Sequence, residues 1–155
     1  MTNSWEDSLA REMGQAERRA AQRAATVARA VAARDTGIAE LWGLIDRVVD
    51  RVNGRVGPDG RRFHREEVIS PPSKAIYYGG RRLLFEVEAL AYDAWRNEPV
   101  FCPGGLARVH VDPPARDLTA LFYAVSSEGA RWLVMPTRRR VTDETIGTLL
   151  RVLLS

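Results

Sequence analysis

Cys102, His110 and Asp112 come nearest, among the residues of this sequence, to a nucleophilic constellation. A thiol, an imidazole and a carboxylate within reach of one another could form and resolve a covalent intermediate. His110 and Asp112 are two apart in a stretch of strand formers, so their side chains share a face. Cys102 lies eight residues before His110, across Pro103-Gly104-Gly105, a loop able to bring it near. No nucleophile motif surrounds the cysteine, however, and a buried structural thiol beside a surface histidine explains the same residues. A metal site drawn from His64, Cys102, His110 and Asp112 has no CxxC or HxxxH spacing. Gly79-Gly80 and Gly104-Gly105 come without a Walker lysine or a GxGxxG pattern and read as turns, not phosphate loops. No catalytic, metal or cofactor set is assigned, and a small enzyme using Cys102 and His110 ranks last among the functional readings.

The strongest polar feature is Arg138-Arg139-Arg140, placed just before the N-terminus of a predicted last helix. Free N–H groups and the helix dipole would add to that charge, and Arg81-Arg82, with Arg61-Arg62, would extend it into a patch. The chemistry would be capture of an anion: a phosphate backbone, an acidic protein surface or a lipid head group. Solvated arginines at a strand-to-helix turn explain the cluster equally well. Nucleic acid is the less favoured partner, because the aromatics are few and do not interleave with these arginines. Net charge is only +3, and almost every basic residue is arginine, Lys74 being the one lysine. Split at Val56, the first part has nine Arg against eight acids and the rest fourteen basic residues against twelve, so neither part is a strongly basic module.

The elements that must position such residues begin with a stretch from Ser4 to about Val52 that contains no proline. Leu9, Met13, Ala16, Ala20, Ala24, Val27, Val31, Ile38, Leu41, Ile45, Val48 and Val52 recur at three- and four-residue steps, which predicts one apolar stripe on a helix. Ser4 is the expected N-cap, and Glu6 and Asp7 suit the dipole. Unbroken, this helix would run roughly 70 Å, longer than the domain the remaining residues can form. Either the stripe finds a partner outside its own globule or the helix folds back at Arg34-Asp35-Thr36-Gly37, where Gly37 weakens it by about 1 kcal/mol. Residues 1–56 are therefore read as an oligomerisation or docking segment, and 57–155 as a small α+β domain. Trp5, Leu9, Met13, Val27 and Val31 are the candidate partner-binding residues, facing a protein that is a second copy or another chain. Trp5 and Trp95 are the tryptophans least easily buried by the domain, while Trp42 and Trp132 are expected in the core.

After turn formers at 53–62, the ambiguous stretch Phe63 to Ile69 and Pro71-Pro72, the pattern changes to strands. Ala75 to Tyr78 and Arg82 to Ala91 flank Gly79-Gly80 as a hairpin, a helix over Leu83 to Trp95 being the alternative. Pro99 to Gly105 is expected as a loop, Ala107 to Val111 as a strand, and Leu118 to Val125 with Arg131 to Met135 as a second hairpin. Thr142 caps a last helix whose Ile146, Leu149, Leu150, Val152, Leu153 and Leu154 form the apolar face expected to cover the sheet. The expected fold is α+β: a long helix, an antiparallel meander of three to five strands, and a C-terminal helix. The single cysteine excludes an internal disulfide and suits a reducing cytoplasm, and neither a secretory signal nor a membrane-spanning run is evident. The reading that results is a non-enzymatic, self-associating or adaptor protein of the cytoplasm.

Overall fold

Ala, Arg, Glu and Gln lose little side-chain freedom in a helix, and nothing between Ser4 and Arg55 removes a backbone donor. In the computed structural model, which describes residues 4–93, 98–126 and 128–155, one helix (α1, Ser4–Arg55) accordingly spans 52 residues. At 1.5 Å per residue it is roughly 78 Å long. It runs through Gly37, so of the two alternatives the fold-back does not occur. Its end is fixed by Asn53, whose side-chain oxygen accepts from Phe63 N and whose amide donates to Phe63 O, both at 2.9 Å.

Seven strands follow in chain order, two more than the upper expectation: β1 (His64–Val68), β2 (Ser73–Tyr78), β3 (Arg81–Asp93), β4 (Glu98–Asp112), β5 (Arg116–Ser126), β6 (Gly129–Val134) and β7 (Arg139–Arg140). Each pairs antiparallel with the next, giving one seven-stranded meander. The ambiguous stretch after Phe63 resolves as the exposed edge strand β1. Gly79 and Gly80, with φ of 58° and 81°, make the tight β2–β3 turn, whose right-handed twist needs both residues in the left-handed region.

The expected loop at Pro99 to Gly105 is instead the first half of β4. Beyond Glu88 only β3 pairs with β4, through Leu90↔Phe101 to Asp93↔Glu98, whereas β5 joins β4 only from Leu106 to Val111. Strand Pro99 and Pro103 therefore sit where β4 has a neighbour on one side only, the place a sheet tolerates proline. Trp95 lies outside the described residues.

Period-two alternation puts Ile76, Leu83, Phe85, Val87, Ala107, Val109, Val111, Leu121, Tyr123 and Trp132 on one face of the sheet, all buried. Leu41, Trp42, Ile45, Val48 and Val49 of α1 pack on that face, and so do Ile146, Leu149, Leu150 and Leu153 from the C-terminal helix α2 (Asp143–Arg151) and the single 3-10 turn after it. Thr142 caps α2 reciprocally with Thr145, at 3.0 Å from Thr142 N to Thr145 Oγ1. Arg51 of α1 pairs with Asp143 at the start of α2. The architecture is thus α+β, with both helices on one side of an antiparallel sheet. No helix among the described residues is long and apolar enough to cross a membrane.

Candidate interaction surface

Three contacts hold the middle of α1 to the sheet and so set the direction in which its first half projects. Gly37 lies against the Tyr123 ring, with room for no side chain: a Cβ there would stand 2.6 Å from the ring. Trp132, its ring tilted at 42° against that of Tyr123 with 5.0 Å between ring centroids, donates its indole N–H to the Gly37 carbonyl at 2.7 Å. Burial, and then the nearby Glu40 carboxylate, raise the Tyr123 phenol pKa. One turn earlier, the Arg34 guanidinium donates twice to the Pro103 carbonyl, at 2.8 and 2.5 Å.

The third contact is Lys74, 2% exposed on β2. Its ammonium lies 2.6 Å from Asp46 of α1 and 3.2 Å from Glu67 of β1, and 5.7 Å from the centre of the Trp42 ring. Burying an ammonium is tolerable only with such partners. The contact ties helix, edge strand and sheet together. The residue carried a legible signal, a lone lysine in a chain that otherwise uses arginine, directly before the apolar Ala75 and Ile76.

Upstream of these anchors the helix leaves the core. The first buried side chain of α1 is Ala30, and from Ser4 to Arg29 none is fully buried. That arm is roughly 39 Å long at the helical rise. On it Trp5 is 66% exposed, Leu9 49% and Met13 57%; Val31 at its base is 47% exposed and Val27 half-buried. The apolar residues recur every eleven positions, as Trp5/Ala16/Val27, Leu9/Ala20/Val31 and Met13/Ala24. Eleven residues make almost a whole three turns, so the stripe stays on one side of a nearly straight helix. Residues 4–17 hold Glu6, Asp7, Glu12 and Glu17 against Arg11, and residues 18–29 hold Arg18, Arg19, Arg23 and Arg29 with no acid. A shallow groove of ≈ 460 Å³ lined by Arg19, Gln22, Arg23, Thr26 and Val27 runs along one flank of the basic half.

The other candidate residues are not gathered. Arg81 donates to the carbonyls of Pro113, Val152 and Ser155, tying down the C-terminal turn. Arg82 faces Asp112 at 3.5 Å. Arg138 to Arg140 are exposed at the opposite end of the sheet, β7 being four strand spacings, roughly 19 Å, from β3. The N-terminus of α2 beside them is already satisfied by Thr142 and flanked by Asp143 and Glu144. His64 is exposed on the edge strand. Cys102 and His110 lie on the same extended strand, roughly 25 Å apart by strand rise, so the expected loop at Pro103-Gly104-Gly105 does not form and does not bring them together. Burial, and secondarily the charge of Glu88, push the Cys102 thiol pKa up, away from an activated thiolate. His110 Nδ1 is buried and makes no hydrogen bond among the described residues. Among those residues no three His, Cys, Asp or Glu side chains are grouped to hold a metal ion. No protein-family model, curated protein or solved structure matches the chain.

Proposed function

We propose that this chain is a non-enzymatic assembly or adaptor subunit of the cytoplasm, in which the N-terminal arm of α1 docks a protein, either a second copy or another chain. The α+β domain is the base that holds the arm in a fixed direction through Gly37, Arg34 and Lys74. The observation that carries this reading is the exposure of Trp5, Leu9 and Met13 along one side of an arm that its own core does not reach. Side chains of this kind contribute about 1.5–3 kcal/mol each when removed from water. A contiguous exposed apolar stripe edged by charge is the usual mark of a protein-binding surface.

Hydrogen exchange of the full chain tests the reading. Backbone amides of the arm gain protection as chain concentration rises, and Leu9→Glu/Met13→Glu removes that gain while leaving the sheet protected. Arm exchange that ignores both concentration and substitution would contradict docking between copies and leave only a heterologous partner.

A further inference from the structure

We infer that the arm's occupant is the arm of a second copy of this chain, laid antiparallel, so that the two chains pair around a two-fold axis near Arg18. This rests on the docking reading above and names its partner.

Charge decides the orientation. The distal half of the arm is acidic and the proximal half basic. Parallel arms would set acidic half on acidic half and basic on basic, which like charges disfavour; antiparallel arms set each acidic half on the other's basic half. Glu12 and Arg23 are eleven residues apart, three turns, and therefore on the same flank of the stripe. An axis near Arg18 brings Glu12 of each chain to the partner's Arg23, two ion pairs from one symmetry operation. The groove on that flank, lined by Arg19, Gln22, Arg23 and Thr26 at i, i+3, i+4 and i+7, has the outline of a hole that a facing helix fills. In this register it receives Glu12 of the second copy.

Size leads to the same arrangement. The large stripe residues Trp5, Leu9 and Met13 are distal, while the proximal ones are Ala20, Ala24, Val27 and Val31. Antiparallel pairing about the same axis sets Trp5 on the partner's Val31, Leu9 on the partner's Val27, and Ala16 on the partner's Ala20. Trp5 and Leu9 at the distal end then meet smaller side chains at the partner's base, and the helix spacing stays even. Parallel pairing would set Trp5 on Trp5 at one end and Ala20 on Ala20 in the middle, and the two axes could not stay equidistant.

Disulfide trapping in the full chain, with Cys102→Ser as background, tests the arrangement at exposed positions. Chains carrying Glu12→Cys mixed with chains carrying Arg23→Cys form a covalent dimer under mild oxidation, and neither forms one alone. Covalent dimers from Glu12→Cys alone would mean parallel arms and would overturn the pairing, while leaving the docking role of the arm intact. A full chain that is monomeric by mass and traps no dimer would overturn the second copy as occupant. Charge reversal gives an independent readout without cysteines. Glu12→Arg weakens self-association roughly tenfold or more, since two exposed ion pairs become two like-charge contacts. Glu12→Arg/Arg23→Glu restores it. Failure of the double reversal to restore association overturns the pairing.

Discussion

Gly37 presses its bare Cα against the ring of Tyr123, so closely that a Cβ would stand 2.6 to 2.8 Å from three ring carbons. This contact, with the indole hydrogen bond from Trp132 to the Gly37 carbonyl, is what allows a helix to lie flat across β5 and β6. The glycine is thus a contact residue, and the helix passes over it unbroken.

Gly37→Ala is expected to destabilise the fold. The gain in helix propensity is about 1 kcal/mol, but overpacking against a buried ring costs about 1–3 kcal/mol, and the ring cannot swing away without losing Trp132. Gly43→Ala, where the nearest atom is the tip of Arg47 at 3.7 Å, should instead stabilise by about 0.5–1 kcal/mol. Urea denaturation of the two variants checks the contrast; equal shifts of the same sign would refute the contact.

The difference between reading Gly37 as a hinge and finding it as a contact shows where the sequence was legible. A proline-free stretch with apolar residues at three- and four-residue steps dictates a helix, and the order helix, strands, helix dictates the class. Arg34-Asp35-Thr36-Gly37 also has the local chemistry of a break, because the reason it does not break is a ring 86 positions downstream. Pro99 to Gly105 was misread for a related reason. Two prolines and two glycines are loop formers unless the strand has a partner on only one side, which depends on how far β5 extends. Arg81 gave no sign that its partners would be the carbonyls of the chain's last turn. The apolar arm, by contrast, was legible through Trp5, Leu9 and Met13, because an excess of stripe over available core is a property of length and pattern alone.

Lys74 supports an asymmetric prediction. Asp46→Asn with Glu67→Gln leaves the ammonium buried without a counter-charge, and should cost about 3–5 kcal/mol. Lys74→Met removes the charge and keeps the length; Asp46 and Glu67 are both more than a third exposed and return to water, so the loss should stay within about 1 kcal/mol. Chemical denaturation of both variants measures the difference. Equal losses would mean that the lysine's charge is not confined.

Cys102 should behave as a buried thiol with a raised pKa. Below its ordinary range of about 8.5 the group is protonated in both folded and unfolded chains. The raised value means that thiolate forms in the folded protein only at higher pH than in the unfolded chain. Near pH 8 a thiol reagent should therefore label native protein far more slowly than urea-unfolded protein, and Glu88→Gln should speed the native reaction modestly. Rapid labelling of the native chain at neutral pH would contradict this environment.

The central claim is that the arm pairs with the arm of a second copy, and the most direct measurement is absolute mass by light scattering on a sizing column. It should be made on the full chain and on Leu9→Glu/Met13→Glu, two substitutions at exposed positions that leave the core untouched. The account predicts about twice the 17.3 kDa chain mass for the full chain and a folded 17.3 kDa monomer for the variant. The same mass for both, whether monomer or oligomer, would contradict it.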